Sequence, residues 1–357
     1  MTASRFDRLG RLIGVRDHSD CALPLVGALV PTCHGNDDGN KGKDTNVRGV
    51  VNTPTPDMPD PVEIQQVPYP EPADDQVLLQ VGAFSVNRGE LALIANRRPG
   101  WRPGQDVAGV VLREAADGSG PPVGTRVVGM VDQAGWAEQV ALSTSRLTAL
   151  PDEVSIEQAA ALPMAGLTAL RTLRLGGDLL GRRVLITGAN GGVGRFHIEL
   201  AAAAGARVTA VTTRLDKADE LTALGADSVV GTVGDAEDTF HLVQESVGGS
   251  SLVDAIAKIA PRGTVVVLGN SSNEPAPISV YDFIGHEGAR LQNYMSYQAG
   301  QADDADLRIL VELVASGRLN PTLGHVADWT ELNSALIALR ERKIEGGKVV
   351  LTVPHTA

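Results

Sequence analysis

The stretch Val184-Leu185-Ile186-Thr187 runs without a break into Gly188-Ala189-Asn190-Gly191-Gly192-Val193-Gly194. Its four leading apolar or β-branched residues predict a buried strand, and Val193 to Ala204 predicts a helix closed by Gly205. Glycines at 188, 191, 192 and 194 allow a tight turn, bring backbone N–H groups against a ligand and let the helix pack closely on the strand. The N–H groups exposed from Asn190 through Gly194, together with the positive end of the helix dipole, suit a pyrophosphate. A glycine string alone can simply turn the chain. Between a strand and a helix it is a specific sign of a dinucleotide site.

The same rhythm continues downstream. Arg207 to Val211 reads as a second strand, Asp216 to Leu224 as a helix closed by Gly225, and Ser228 to Val230 as a third strand. Strand His241 to Gln244, helix Ser251 to Ile259 and strand Thr264 to Leu268 follow. Such alternation predicts an α/β, doubly wound parallel sheet. From Arg48 to about Pro151 the runs are short and strand-like (Val77 to Val81, Val107 to Leu112, Thr125 to Val131, Ala137 to Val140), which predicts a small β-rich domain. Helices at Asp303 to Ser316 and Thr330 to Arg342, then a strand at Lys348 to Val353, complete the chain.

Cofactor choice is read at the end of the second strand, where an acid would hold the ribose hydroxyls of NAD. Here the strand ends Val211-Thr212-Thr213-Arg214, and no acid appears before Asp216. Thr213 can hydrogen-bond a 2′-phosphate, and Arg214 and Lys217 can neutralise it, which favours NADPH. The alternative is that both cations are solvated charges at a helix start.

Composition bounds the rest. The 357 residues carry 31 Lys+Arg against 43 Asp+Glu, a net charge of −12, which makes nucleic acid an unfavourable partner. No apolar run is long enough for a membrane helix, and a cytoplasmic protein of about two domains is expected. Residues 1 to 46 differ from the remainder: Gly35 to Asn46 is almost wholly polar, and a disordered arm is expected. Basic residues before Ala22 to Val30 suggest an export signal, but Asp17, Asp20 and Pro24 speak against it. Both cysteines, Cys21 and Cys33, lie in that arm, so the body has no thiol to offer zinc. His18 and His34 beside them do not make a convincing zinc knuckle, since adjacent Cys33 and His34 cannot readily share one tetrahedral ion.

Several separated strings now carry a resemblance: Ser85-Val86-Asn87-Arg88-Gly89-Glu90, Gly104-Gln105-Asp106-Val107-Ala108-Gly109, Gly135-Trp136-Ala137-Glu138, Ala165-Gly166-Leu167-Thr168, Glu245-Ser246-Val247-Gly248-Gly249 and Leu268-Gly269-Asn270-Ser271-Ser272. In order and spacing the chain from about Val47 to Val353 resembles the zinc-free quinone oxidoreductase group of the medium-chain dehydrogenase/reductase superfamily. The resemblance implies a GroES-like catalytic domain (47–168 and 301–357), a Rossmann NADPH-binding domain (169–300), an active site between them and a homodimer. Zinc-dependent members carry Gly-His-Glu where this chain has Gly104-Gln105-Asp106, so no metal site is expected. Without a Lewis acid, hydride transfer to a quinone or enone is easier than to a simple ketone, because the developing charge is delocalised.

The resemblance also assigns residues. Asn87 matches the asparagine placed beside the nicotinamide, although it can equally cap the following helix. Thr168 matches a residue near the carboxamide; Leu268, Asn270 and Ser271 lie at a strand end facing the cofactor; Arg342 aligns with a residue that helps hold the 2′-phosphate. Tyr294 is the candidate catalytic hydroxyl, with packing or interface as its alternative role. Family proton donors are missing, since Ala92 and Asn270 stand where a tyrosine and a lysine occur. The expected activity is an NADPH-dependent reductase of a quinone or α,β-unsaturated carbonyl. The alternatives are a dedicated enoyl or ketone reductase of a polyketide-like pathway, or an NADPH-binding protein without turnover.

Overall fold

The computed structural model describes residues 45–53, 62–296 and 302–354; the expected N-terminal arm lies almost wholly outside them. Asn46–Asn52 (β1) and Val62–Pro68 (β2) pair antiparallel, β1 mostly buried and β2 mostly open to solvent. Gln76–Val86 (β3) is followed by helix Arg88–Asn96 (α1), then Asp106–Arg113 (β4), Arg126–Met130 (β5), Gln139–Ser143 (β6) and Leu147–Ala149 (β7). Two helices, Ile156–Ala160 (α2) and Pro163–Arg174 (α3), lead out of this β-rich part. Ser155 starts the first of them by accepting the Gln158 N–H, and Pro163 starts the second at a position where its missing N–H costs nothing.

The second layer system alternates strands and helices. Arg183–Thr187 (β8), Gly192–Ala203 (α4), Arg207–Val211 (β9), Ala218–Ala223 (α5), Ser228–Val230 (β10), Phe240–Glu245 (β11), Gly249–Ala257 (α6), Ile259–Val267 (β12) and Arg290–Asn293 (β13) give a six-stranded sheet in the order β10-β9-β8-β11-β12-β13. Every pair in it is parallel. The chain then returns through Asp304–Ala315 (α7), Leu323–Asp328 (β14), Leu332–Arg340 (α8) and Lys348–Thr352 (β15) to the first lobe, whose sheet runs β14-β15-β3-β4-β5-β7 with β6 also on β3. The doubly wound sheet with a β-rich partner lobe is the architecture that the strand and helix alternation predicts.

One core lies within the first lobe, and a larger one runs from that lobe into the second. Phe84 stacks on Trp136 at 5.5 Å and meets Trp329 edge-on at 6.5 Å, all three fully buried under the mixed sheet. A larger cluster joins α2, α3 and α4 to β8 and α7, including Leu162, Leu167, Ile186, Ile198 and Leu310. His197 belongs to it: its Nε2 meets Thr172 Oγ1 at 2.8 Å, and burial lowers its pKa to about 3, so it is a neutral structural residue. Arg171 bridges Asp303 and Asp306 at 2.9 and 2.7 Å, tying α3 to α7.

Differences from the sequence reading have local causes. The helix expected at Asp216 opens instead as a 3₁₀ turn, Leu215–Lys217, before α5. Strand β12 begins at Ile259 rather than Thr264, and a register shift opposite Phe240 accommodates Pro261 and the positive φ of Arg262. Strand β13 escapes detection because all four of its residues are exposed and carry no apolar alternation.

Candidate active site

The glycine-rich turn sits at the carboxyl end of β8. Gly188 takes φ +60°, and the chain enters α4 at Gly191. A Cβ on Gly194 would stand 2.5 Å from the Gly188 carbonyl oxygen, so only glycine lets the helix approach the turn this closely. The first N–H groups of α4, at Gly192 and Val193, precede the first intrahelical acceptor, as at any helix start. Asn190 does not point at this space. Its Nδ2 donates to the Glu345 carbonyl (3.0 Å), and its Oδ1 accepts from Arg195 (2.6 Å), which also binds Glu220 at 2.7 Å.

At the end of β9, Thr213 is exposed and Arg214 grips Asp216 through two bonds of 2.8 and 2.7 Å. Lys217 lies 2.9 Å from both Glu220 and Glu345, and these partners hold its ammonium pKa above the usual range. The two cations therefore form one cluster beside the turn. Leu268 continues β12 by donating to the Glu245 carbonyl, and Ser271 donates to that of Ser246, while the Asn270 side chain accepts from Ser272. Glu245 organises this edge: buried, it accepts from Thr187, Val247, Gly248 and Ser251 at 3.0–3.1 Å.

Arg342 and Tyr294 have partners of their own. Arg342 donates to the Ser271 carbonyl at 2.9 Å, just beyond β12, while Arg214 follows β9. Its backbone, at φ +58° after α8, directs it there. Tyr294, at the end of β13, is not brought to Asn87. Its ring packs on the main core, and its hydroxyl, whose pKa burial raises, is set among Arg171, Asp303 and Asp306.

What surrounds Asn87 is a buried cluster drawn from three strands. Register decides it: in the antiparallel pairs Ser85 faces Asp106 and Val86 faces Val349, which brings Asn87 beside Lys348. Asn87 Nδ2 donates to Asp106 Oδ2 at 2.8 Å, Ser85 Oγ donates to the same oxygen at 2.5 Å, and the Met164 N–H at the start of α3 donates to Oδ1 at 2.9 Å. Lys348, only 4% exposed, donates to Asn87 Oδ1 and lies 3.4 Å from Asp106 Oδ2. Glu90 accepts the Asn87 N–H at 2.8 Å; burial first, and Asp106 second, raise its pKa to about 8. Thr168, buried on α3, turns its carbonyl to Thr172.

Lys348 and Asp106 thus join the site. In the sequence Asp106 marks only a missing zinc ligand, and no local motif marks Lys348. The stem of Lys348 also touches the turn, since a Cβ on Gly192 would come within 2.8 Å of its Cδ. Gly347 forms a parallel bridge with Gly191, so the returning segment lies directly along the dinucleotide turn. Asp106 has both oxygens engaged, and among the described residues no group of three or more His, Cys, Asp or Glu is placed to hold a metal. No helix among them is long and apolar enough to cross a membrane.

Residues 192–316 match the zinc-binding dehydrogenase domain family. A chloroplast envelope quinone oxidoreductase homolog from Arabidopsis thaliana is 35% identical over 47% of this chain and 56% of its own length. The spectinabilin polyketide synthase system protein NorB of Streptomyces orinoci is 32% identical over 79% of this chain. The chain spans 13% of that polyketide synthase protein and about half of the chloroplast one. A mycobacterial protein solved in complex with NADPH shares the fold at a TM-score of 0.77 and 23% identity, over 86% of this chain and 99% of that one. The likeness in fold runs through both lobes, and in sequence the chain is similar to quinone oxidoreductase homologs and, over 192–316, to zinc-binding dehydrogenases.

Proposed function

We propose that this chain is an NADPH-dependent reductase that delivers hydride to a small quinone or α,β-unsaturated carbonyl without a metal. The observation that carries the reading is the contact of Lys348 with Gly192, which sets the Asn87–Asp106–Lys348 cluster against the turn suited to the pyrophosphate. Glycines at 192 and 194 let Lys348 and the Gly188 carbonyl pack against the start of α4, where its first N–H groups would meet a pyrophosphate, and Arg214 and Lys217 supply charge for a 2′-phosphate. Gly192 and Val193 would hold the pyrophosphate, with Thr168, Leu268, Asn270 and Ser271 along the same edge. When bound, the cofactor supplies the hydride.

The residues of the chain do the remaining work. An ammonium has three donors, of which Lys348 commits one to Asn87 and one to Asp106; the third is available to a substrate oxygen. Asn87, fixed at both ends of its amide, keeps one N–H for the same purpose. A cation held in a buried corner stabilises developing enolate or hydroquinone charge without reorganising. Asp106, answered by Lys348 and three N–H or O–H donors, is spent on orienting these groups, which supports a metal-free reaction.

The likeness to a polyketide synthase protein favours one second reading, a dedicated enoyl reductase of a biosynthetic intermediate. We further propose a cytoplasmic homodimer joined through the β13 edge, whose strand is exposed and whose neighbours Val280, Tyr281, Ile284 and Met295 present apolar surface. Loss of NADPH absorbance against a panel of quinones, enones and aldehydes tests the activity. Turnover of a quinone or enone with NADPH is expected; tight NADPH binding with no turnover would overturn it, and equal rates with NADH would overturn the role of Arg214 and Lys217.

A further inference from the structure

We propose that Glu345 is a cofactor-selecting residue: its carboxylate sits between Arg214 and Lys217 as a stand-in for the 2′-phosphate, and NADPH binds by displacing it. The inference rests on the assignment of Arg214 and Lys217 to that phosphate.

Glu345 Oε2 stands 2.9 Å from Lys217 Nζ and 3.6 Å from the Arg214 guanidinium. A carboxylate and a phosphate satisfy the same N–H donors, so both cannot occupy this position. The backbone that delivers Glu345 is firmly seated. Its carbonyl accepts from Asn190, the Gly347 N–H donates to the Asn190 carbonyl at 3.1 Å, and Gly347 bridges Gly191. The side chain, by contrast, is 69% exposed and can swing into water at little cost.

The local charges single out Glu345. Asp216, Glu220 and Glu345 answer Arg214, Lys217 and Arg195 charge for charge, so an entering phosphate dianion meets no surplus positive charge until one carboxylate withdraws. Asp216 and Glu220 belong to the same short segment as the cations they bind, and Glu220 also secures the buried Arg195. Glu345 comes from the returning segment of the other lobe. A cofactor that has a 2′-hydroxyl instead of a phosphate has no such competitor to displace. The carboxylate therefore sets how strongly the site prefers NADPH, and it protects the basic pair from other anions while the site is empty.

Equilibrium binding of adenosine 2′,5′-bisphosphate and of AMP to the full chain tests this without any turnover. Glu345→Gln should tighten the bisphosphate about two- to fivefold and leave AMP little changed, and Glu345→Ala should do the same. Arg214→Ala should weaken the bisphosphate selectively. If Arg214→Ala leaves the bisphosphate unaffected, the phosphate assignment itself falls, and the inference with it. If Arg214→Ala weakens it while both Glu345 variants bind it no better than the wild type, the stand-in role is overturned and the assignment survives.

Discussion

Lys348, the first residue of β15, donates its ammonium to Oδ1 of Asn87, the residue that follows β3, although the two are 261 positions apart. The antiparallel pairing of Val86 with Val349 makes them neighbours, and Asp106 completes the buried cluster from β4. This corner has a price in desolvation that only mutual pairing offsets.

Removing the cation should therefore be severe. Lys348→Met leaves the Asp106 carboxylate buried beside an apolar stem and should lower stability by about 3–5 kcal/mol, the usual penalty for breaking a buried pair. Adding Asp106→Asn should recover part of that loss, because the uncompensated charge disappears. Urea unfolding of the single and double variants measures both effects. A double variant no more stable than Lys348→Met would contradict the pairing.

Glu90 makes the same corner sensitive to pH. Its folded pKa, about 8, lies above its ordinary value of 4.5, so the folded chain holds this proton more tightly than the unfolded chain. The associated stability is fully present below about pH 4.5 and is lost as pH rises toward 8. Glu90→Gln keeps an oxygen for the Asn87 N–H but cannot ionise. The stability of the wild type relative to this variant should fall across that window and level off above it, as thermal melts at a series of pH values would record. A constant difference across the window would mean that Glu90 is not the titrating group.

Gly194 carries a steric prediction. Gly194→Ala would place a Cβ 2.5 Å from the Gly188 carbonyl and 2.7 Å from Ala189, forcing the start of α4 away from β8. A loss of about 1–3 kcal/mol from overpacking is expected, together with weakened binding of NADPH and NADH alike, since the displaced N–H groups serve the pyrophosphate common to both. Cofactor titration of the folded variant checks it, and a selective loss of NADPH alone would contradict it.

These residues also show where the sequence is readable. The turn from Gly188 to Gly194 is legible because strand, glycines and helix start are contiguous, and each is dictated by local backbone geometry. The same holds for Arg214 and Lys217, which directly follow β9. Lys348 and Glu345 are invisible at this level, because their partners are fixed by the register of β15 on β3 and by the passage of the return segment over Asn190. Arg342 and Tyr294 show a further long-range effect. Their positions along the chain suggest the cleft, but a left-handed backbone after α8 and an ion network between α3 and α7 draw them to other partners.

The β13 edge gives the last prediction. Among the described residues no strand pairs with its outer side, and Tyr281 and Ile284, 75% and 74% exposed, lie in the segment that leads into it. Apolar side chains beside an open strand edge are a liability for a monomer and a ready interface for a second copy related by a twofold axis. Ile284→Arg with Tyr281→Glu should convert a dimer into a monomer while leaving cofactor binding intact, since neither residue approaches the glycine turn. Sedimentation velocity of wild type and variant reads the change directly. A wild type that sediments as a monomer over micromolar concentrations would leave this edge without the partner assigned to it.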